Sequence, residues 1–338
     1  MAKRSTISDV ARLANVHQAT VSRALNAGTE HQVGRETAQR VQAAARELGY
    51  TPNVMARGLR TASSMTIGIV LPDLTNPFFP PVIRGIEREL EPRGYTALLA
   101  NTDDSEAMER TALASLIARR VDGLIVASGH DHYAALREAY DAGIRAVLLN
   151  RGAGDVPYPL VHGDDAHGIG EAVEHLAALG HTAIAHIAGP AKMSTSVERR
   201  RAFDLACARL PRVRPVVVEA ESLTIDAGFA VSNALLAGRG RPTAIIAGND
   251  LIALGVLRSA RTLGLDCPRD LSVVGFNDMM FAEDFTPPLT TVRVPTVDMG
   301  QAAAKLLLHM IETDELSPPS VRLPVTLVVR GSTAVVPA

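Results

Sequence analysis

The sequence predicts a small all-helical N-terminal module followed by a large α/β body with parallel sheets covered by helices. Three observations support this division. Positive charge is concentrated near the N-terminus, and two short helical periods separated by a tight break lie in the first 25 residues. Beyond residue 65 the chain alternates apolar strand-like runs with helical stretches, a pattern typical of parallel sheets with helices on both faces.

The length and composition exclude several classes of protein. The chain has 338 residues, 47% of them hydrophobic, which is ample for more than one domain with a sizeable core. Its two cysteines, Cys207 and Cys267, have no metal-ligand spacing, so we expect ordinary thiols. The sequence shows neither a secretory signal nor a run approaching the roughly 18 apolar residues of a membrane span. We therefore expect a cytoplasmic protein that does not interact with membranes.

Charge is unevenly distributed along the chain. Residues 1–65 contain nine of the 34 Lys and Arg and four of the 36 Asp and Glu, a net charge of +5, and the remainder carries −7. A basic module on an acidic body is typical of a polyanion-binding protein. Charge alone is a weak criterion, because many solvated helical surfaces are equally basic.

The N-terminal module is predicted to contain three short helices. Thr6 and Asp9 have the spacing of a capping box at the start of the first helix. Small Ala11 and Ala14 would let the first two helices cross closely, and Gly49 would end the third in the left-handed conformation. The tight turn and the positive charge together favour a helix-turn-helix DNA-binding unit. A small helical bundle that contacts proteins is the alternative.

The segment 50–60, YTPNVMARGLR, joins this module to the body. Its Pro52 favours a helix start, but so short a helix is marginal in water. We expect it to order only on its target, where burial and phosphate contacts offset the ordering entropy.

Eight apolar runs of the body are predicted to be strands. They are residues 66–71, 96–100, 123–127, 146–150, 184–188, 216–218, 244–247 and 273–276. Helical stretches separate them, and the body is long enough for two lobes of this kind. Ligands of open parallel sheets bind outside the carboxyl ends of the strands, so we expect the binding site there.

Motifs of common enzymes are absent from the sequence. It contains no GxGxxG, GxxxxGK[ST], HExxH or GxSxG, and its ten histidines lack the spacing of metal ligands. We therefore expect no enzymatic activity, no cofactor and no metal site.

Linked motifs along the chain resemble those of the LacI/GalR family of bacterial transcription regulators. They are DVARLANVHQATVSRALN, RVQAAARELGYTPNVMARGLR, TIGIVLPDLTNPFF and PPLTTVRVP, which occur in this order and span most of the chain. The resemblance implies a helix-turn-helix headpiece at 1–51, a hinge helix and linker at 52–65 and an effector-binding core at 66–338. The core would resemble periplasmic sugar-binding proteins, with the chain crossing between lobes three times. Its N-lobe would comprise 66–163 and 295–323, and its C-lobe 164–294 and 324–338.

The resemblance also implies which residues contact double-stranded DNA. The second helix would enter the major groove, where Gln18, Ala19 and Arg23 would read base edges. For Arg23 a phosphate contact is the alternative. Three further side chains would hold phosphates and contribute position rather than sequence information; they are Thr20, Ser22 and Asn26.

Other DNA-contacting positions lie in the hinge and at the helix caps. Leu59 would wedge into the minor groove, unless it is a packed linker residue, and Arg57 would reach the groove or the backbone. His17 and Gly34 stand where the family usually has serine caps. Histidine is a poorer cap, so His17 is either a tolerated substitution or a phosphate contact.

A cleft between the lobes would bind a small-molecule effector. Phe78 and Phe79 of the NPFF motif would line it, although both also suit an apolar core. Arg199 would be the main anchor, because its guanidinium fork suits a carboxylate or paired hydroxyls. The other implied effector-binding residues are Asn150, Arg151, Thr195, Leu223, Asn249 and Asn277.

Four positions of the chain differ from those of sugar-binding members of the family. Asn277 and Asn150 stand where Asp is common, Leu223 replaces a stacking aromatic residue, and Val294 replaces a frequent Gln. An amide keeps the shape of a carboxylate but removes its charge. We therefore expect an effector with negative charge, such as a sugar acid or a hydroxy-carboxylate. A neutral sugar or polyol is the alternative.

Together these features predict a transcriptional regulator, more specifically a repressor of a catabolic operon. It would bind a pseudo-palindromic operator as a homodimer, because the short C-terminus lacks leucine heptads for a tetramer. The effector would act by favouring one arrangement of the lobes, with either sign of control. A small-molecule-binding α/β protein or an enzyme without DNA function is the alternative.

Overall fold

The computed structural model describes residues 5–25, 30–50, 63–128, 134–154 and 156–336. It divides into two compact units, residues 1–64 and residues 65–338, which are described separately below. The predicted DNA-contacting residues Asn26, Arg57 and Leu59 lie outside the described residues.

The N-terminal unit contains three α-helices in its described part. They are α1 (Ile7–Leu13), α2 (Gln18–Ala24) and α3 (Arg35–Glu47), with a 3-10 turn at Glu30–Gln32. Val10, Val21 and Val41 are fully buried at the centre, and small Ala11 and Ala14 are buried beside them. The helices bury their apolar faces together, as their sequence periods predict.

The ends of these helices agree with the sequence signals. Thr6 and Asp9 form the predicted capping box, in which the Thr6 N–H donates to the Asp9 carboxylate at 2.9 Å. Gly49 has a φ of 58° and ends α3 in the left-handed region, as predicted. The Tyr50 N–H then donates to the Ala45 carbonyl at 2.8 Å, which satisfies an otherwise free carbonyl of the last turn.

The first lobe of the body, the N-lobe, is built around a six-stranded parallel sheet. The elements of this lobe are β1 (Thr66–Leu71), α4 (Phe79–Leu90), β2 (Thr96–Asn101), α5 (Glu106–Ala118), β3 (Gly123–Val126), α6 (Ala134–Asp141), β4 (Ala146–Leu149), β5 (Leu160–Gly163), α11 (Thr296–Thr313) and β11 (Val321–Leu323). The strand order of the sheet is β11-β5-β4-β3-β1-β2.

The second lobe, the C-lobe, has a sheet of the same size. The elements of this lobe are α7 (Asp165–Ala178), β6 (Ala183–Ala188), α8 (Ser194–Ala208), β7 (Arg214–Glu219), α9 (Ile225–Ala237), β8 (Ala244–Ala247), α10 (Asp250–Thr262), β9 (Ser272–Asn277), β10 (Thr290–Arg293) and β12 (Thr326–Val328). The strand order of the sheet is β12-β10-β9-β8-β6-β7, and all neighbouring strands are parallel except β10 and β12.

The described chain passes between the two sheets three times. These crossings follow β5, follow β10 and connect β11 to β12. The predicted fold class, a helical headpiece with a two-lobed body of helix-covered parallel sheets, is confirmed. The structure adds strands that the sequence analysis missed, namely β5, β10, β11 and β12. Each has only three or four residues and adjoins a crossing, so pairing with its neighbours rather than a long apolar run defines it.

Helices α4 and α11 pack so closely in the N-lobe that both require glycine. A Cβ atom at Gly85 would lie 2.1 Å from the Val297 carbonyl oxygen, and one at Gly300 would lie 2.0 Å from that of Val82. Since α11 follows the second crossing, this contact fixes the returning chain to the first segment of its lobe. Among the described residues, no helix combines the length and apolarity that a membrane crossing requires.

We expect Gly300→Ala to lower the free energy of unfolding by about 1–3 kcal/mol or more, because the new methyl group collides with a backbone carbonyl. Gly170→Ala in α7 is the matched control. Nothing lies within 4 Å of its Cβ position, so helix propensity should raise stability by about 0.5–1 kcal/mol. Urea denaturation measures both changes, and losses of equal size would contradict the close contact.

Candidate functional site

One cavity of the body is lined by ten described residues that come from both lobes. Each lies at or after the carboxyl end of a parallel strand, or on the helix after it, which is the general position of ligand sites in such sheets. The ten residues are Asn76, Phe78, Phe79, Asn150, Arg151, Thr195, Arg199, Leu223, Asn249 and Asn277. The structure thus brings all nine residues of the predicted effector site to one place. Asn76 was not predicted, although it opens the NPFF motif.

The cavity is narrow. Its volume is about 20 Å³, enough for about one water molecule. A ligand the size of a monosaccharide therefore enters only when the lobes or the lining side chains move apart.

Two aromatic rings form the apolar part of the lining. Phe78 and Phe79 pack edge to face with ring centroids 5.2 Å apart, and both also belong to the main hydrophobic core. The turn that presents them is held by Asn76, whose side-chain oxygen accepts a hydrogen bond from the Phe78 N–H at 3.0 Å. The two interpretations of these residues, core and cavity lining, are therefore compatible.

Arg199 is buried and its charge is compensated inside the protein. Its Nε donates to Asp165 Oδ2 at 2.7 Å, and its Nη1 donates to the Gly248 carbonyl at 2.6 Å. The guanidinium carbon also lies 3.8 Å from the centre of the Phe276 ring, a cation–π contact. Asp165, the first residue of α7, was missed by the sequence analysis because nothing in the sequence links it to a helix 34 residues away.

Arg151 is arranged in a similar way in the N-lobe. Its Nη1 donates to Asp104 Oδ1 at 2.7 Å, while its buried Nε has no hydrogen-bond partner among the described residues. Burial raises the pKa of the nearby Glu109 to about 7, although attraction to Arg151 acts in the opposite direction. Each of the two arginines therefore has a counter-charge within the protein, which the expectation of a negatively charged effector did not include.

The asparagines that replace family carboxylates occupy unusual backbone conformations. Asn150 has a φ of 64°, and Asn277 has a φ of 116°, a region that favours glycine. Such strain costs about 1–3 kcal/mol and persists only where the surroundings hold the backbone. The Oδ1 atom of Asn277 is buried and has no hydrogen-bond partner among the described residues. This oxygen is an acceptor that a ligand hydroxyl could satisfy.

The other lining residues serve the fold as well. The Asn249 side-chain oxygen caps α10 by accepting from the Ile252 N–H at 2.8 Å, and its Nδ2 donates to the Leu223 carbonyl at 3.1 Å. Its amide is therefore largely engaged by the protein. Thr195 is buried in the first turn of α8.

In the N-terminal unit, α2 presents the residues predicted to contact DNA on its outer side. Val21 and Ala24 face the core, whereas Gln18, Ala19 and Arg23 are exposed. Thr20 and Ser22 are half-buried at the edges of this face. The arrangement leaves the three predicted base-reading positions accessible to a partner.

His17 occupies the N-cap position of α2, and its ring nitrogen Nδ1 accepts a hydrogen bond from the Ala19 N–H at 3.3 Å. The imidazole therefore replaces a serine hydroxyl as the cap, and the phosphate contact stays a prediction. Gly34 begins α3 without any side-chain cap. The Gln18 side chain donates to Ser8 Oγ at 2.8 Å and so links α2 to α1.

The N-terminal unit has a tight turn between its first two helices, and the body has two α/β lobes with a polar cavity between them. This combination is typical of ligand-controlled regulators. Comparison with known proteins agrees. Residues 6–53 match the model of bacterial regulatory proteins of the lacI family, and residues 173–333 match a periplasmic binding protein-like domain.

Known sequences and structures extend the match over nearly the whole chain. The transcriptional repressor CytR of Escherichia coli is 34% identical over 98% of this chain and 97% of its own length. The ribose operon repressor of Halalkalibacterium halodurans is 36% identical over 97% of both chains. The Lac repressor dimer bound to operator and the anti-inducer ONPF superposes with a TM-score of 0.88 at 29% identity, covering 98% of this chain and 100% of that chain.

A complex of the transcriptional regulator CelR with cellobiose superposes with a TM-score of 0.73 at 31% identity, covering 97% of this chain and 100% of that chain. The chain belongs to the lacI family of bacterial regulatory proteins. It is a DNA-binding transcriptional repressor of that family, which confirms the predicted family and the expectation of a regulator rather than an enzyme.

We expect Asp165→Ala to lower the free energy of unfolding of the body by about 3–5 kcal/mol, because it leaves the Arg199 guanidinium buried without its counter-charge. The matched control is Asp226→Ala in the same lobe. The Asp226 side chain is 91% exposed beside Arg258, so its loss should change stability little. Urea denaturation compares the two variants. Similar losses of unfolding free energy in both would show that the buried pair stabilises the body no more than the exposed pair does.

Proposed function

We propose that this repressor binds a pseudo-palindromic operator as a homodimer in the cytoplasm and that a neutral polyhydroxylated molecule, a sugar or polyol, controls it from the inter-lobe cavity. The ten lining residues named above would contact this effector. Residues 1–51 would form the DNA-binding headpiece, 52–65 the hinge, and 66–338 the core. Within the core, 66–163 and 295–323 would form the N-lobe, and 164–294 and 324–338 the C-lobe.

The main observation that supports a neutral effector is that both cavity arginines pair with carboxylates. Arg199 pairs with Asp165 and Arg151 pairs with Asp104, so the two cations have their counter-charges already. Hydroxyl groups donate as well as accept hydrogen bonds. They can therefore satisfy the buried Asn277 oxygen and accept from the guanidinium N–H groups at the same time.

Two relatives support this class of effector by their names. One is the ribose operon repressor, and the other is the regulator CelR, whose structure holds cellobiose. A sugar acid remains the second candidate because of one observation. Among the described lining residues, two are arginines and none is Asp or Glu.

Effector binding would act through the relative position of the lobes. Asn150 and Arg151 belong to the N-lobe, whereas Thr195, Arg199 and Asn277 belong to the C-lobe. A ligand that contacts both sets stabilises the arrangement that brings them together. Operator affinity then falls or rises according to which arrangement the dimer needs on DNA, as in any pair of linked equilibria.

The exposed face of α2 supports the proposed mode of DNA binding. Gln18, Ala19 and Arg23 would meet base edges in the major groove, with Thr20 and Ser22 at phosphates. A Lac repressor dimer with this fold has been solved on its operator, which supports a two-fold symmetric complex for the present chain.

Selection of duplexes from a random pool by the full-length protein should enrich a pseudo-palindromic sequence, with binding that weakens steeply as salt rises. Arg23→Ala should cost about 1–3 kcal/mol and relax the preference at one base position of each half-site. A uniform loss over all sequences would instead assign Arg23 to a phosphate. Failure to enrich any sequence would contradict operator binding.

A thermal-shift panel tests the effector class. It should contain D-ribose, D-galactose, cellobiose and ribitol beside gluconate, galactonate and glucuronate. A ligand at 100 times its dissociation constant stabilises a protein by about 2.7 kcal/mol, and we expect this response from neutral compounds. Asn277→Asp should keep that response, because a carboxylate also accepts hydroxyl hydrogen bonds. Stabilisation by acids alone, abolished in Asn277→Asp, would contradict the proposal and establish the acid class.

A further inference from the structure

The backbone at the end of β9 is strained where it reaches the cavity. Asn277 and Asp278 have φ values of 116° and 55°, so two successive residues other than glycine lie in the left-handed region. The Asn277 side chain lines the cavity, while its carbonyl accepts a hydrogen bond from the Val294 N–H at 3.4 Å. Val294 lies in the second crossing between the lobes. One residue thus contacts both the cavity and an inter-lobe segment.

The carboxylate of Asp278 binds two arginines from different parts of the chain. Its Oδ2 accepts from Arg293 Nε at 2.6 Å, and its Oδ1 accepts from Arg330 Nη2 at 2.8 Å. The Asp278 side chain is only 7% exposed and the Arg330 side chain 14%, so solvent screens the pair with Arg330 weakly. Arg330 is anchored in turn, because its Nη1 donates to the Leu289 carbonyl at 2.8 Å.

Both arginines stand beside inter-lobe segments. Arg293 is the last residue of β10, and the chain leaves for α11 of the N-lobe directly after it. Arg330 follows β12, the first strand after the third crossing. Arg293 also aligns with Asn277 on one side and with Thr326 on the other in the sheet register. Asp278 therefore links the cavity loop to two of the crossings in the described chain.

Asp250 holds the other side of the same loop. Its Oδ2 accepts from the Met279 N–H at 2.8 Å, and its Oδ1 accepts from Thr291 Oγ1 at 2.6 Å. A Cβ atom at Gly275 would lie 2.2 Å from this Oδ1, so the carboxylate lies directly against the backbone of β9. Burial raises the pKa of Asp250 to about 7. The backbone of the loop is thus held on both sides, and the Asn277 side chain is the part of it that lines the cavity.

We infer that Asp278 is a positioning residue that couples occupancy of the cavity to the segments joining the lobes. This inference rests on the proposed function, that the cavity binds the effector. A hydroxyl bound to Asn277 Oδ1 biases the adjoining backbone. The Asp278 carboxylate, one residue further along, carries this bias to Arg293 and Arg330 and so to the second and third crossings. Asp278 does not line the cavity, so its role is coupling rather than recognition.

Asp278→Asn tests this role, with Asp226→Asn as the matched control. Asp226 also pairs with an arginine of the C-lobe, but its side chain is 91% exposed and far from the crossings in sequence. Two quantities are measured for the full-length protein. One is the dissociation constant of the most stabilising compound among D-ribose, D-galactose, cellobiose, ribitol and the three sugar acids. The other is the factor by which that compound changes affinity for the selected duplex.

We expect this factor to be about 5-fold or more in the wild type and in Asp226→Asn, in either direction. In Asp278→Asn it should fall below about twofold while the compound still binds. Arg293→Gln is the second variant, for use if Asp278→Asn does not fold. It removes one of the two ion pairs of Asp278, and because the Arg293 side chain is 55% exposed, we expect the variant to fold. It should also reduce the factor.

If the compound changes the duplex affinity of Asp278→Asn by the wild-type factor, the inference is overturned and the proposed function stands. If Asp278→Asn does not fold, the same result in Arg293→Gln has the same consequence. Loss of compound binding together with the factor in Asp278→Asn would overturn it too, because that result indicates a merely structural role. If no compound stabilises the wild type, the proposed function fails and the inference fails with it.

Discussion

The buried ion pair between Arg199 and Asp165 is the interaction on which the cavity depends. It joins α8 to the start of α7, and through Arg199 it also engages the Gly248 carbonyl after β8 and the Phe276 ring of β9. Burying a guanidinium is costly unless a carboxylate and further acceptors replace its water. The Arg199 guanidinium therefore lines the cavity and also holds together the C-lobe elements around it.

The threefold crossing of the chain determines how this cavity can communicate with the rest of the molecule. The N-lobe is built from two separate segments, and the close glycine contact between α4 and α11 makes them one body. Any movement of one lobe against the other must therefore bend the chain at the crossings. The second crossing begins directly after Arg293, which is in register with Asn277 of the cavity, so the cavity lining and this crossing meet at the ends of β9 and β10.

Much of this architecture is predictable from the sequence, and the exceptions have a physical cause. Strands that form continuous apolar runs were predicted, whereas strands beside the crossings that contain polar residues, such as β11 with Arg322, are defined by pairing alone. The nine cavity residues were reached through motif resemblance. Their counter-charges were not, because Asp165 and Asp104 lie 34 and 47 residues from their arginines and only the folded chain brings them together. The strained backbone of Asn277 likewise has no local sequence signal, since asparagine tolerates many conformations.

The counter-charges of the two arginines change the charge that a cavity lined by asparagines presents to a ligand. With Asn rather than Asp at positions 150 and 277, the lining contributes no negative charge, while each arginine keeps the carboxylate that neutralises it. Under the proposed function, such a cavity would select its effector by shape and hydrogen bonding rather than by charge. The buried Asn277 oxygen requires a donor, and an ionised carboxylate has none to offer. An acid could satisfy this oxygen only through its hydroxyl groups, which are the groups that a neutral sugar also supplies.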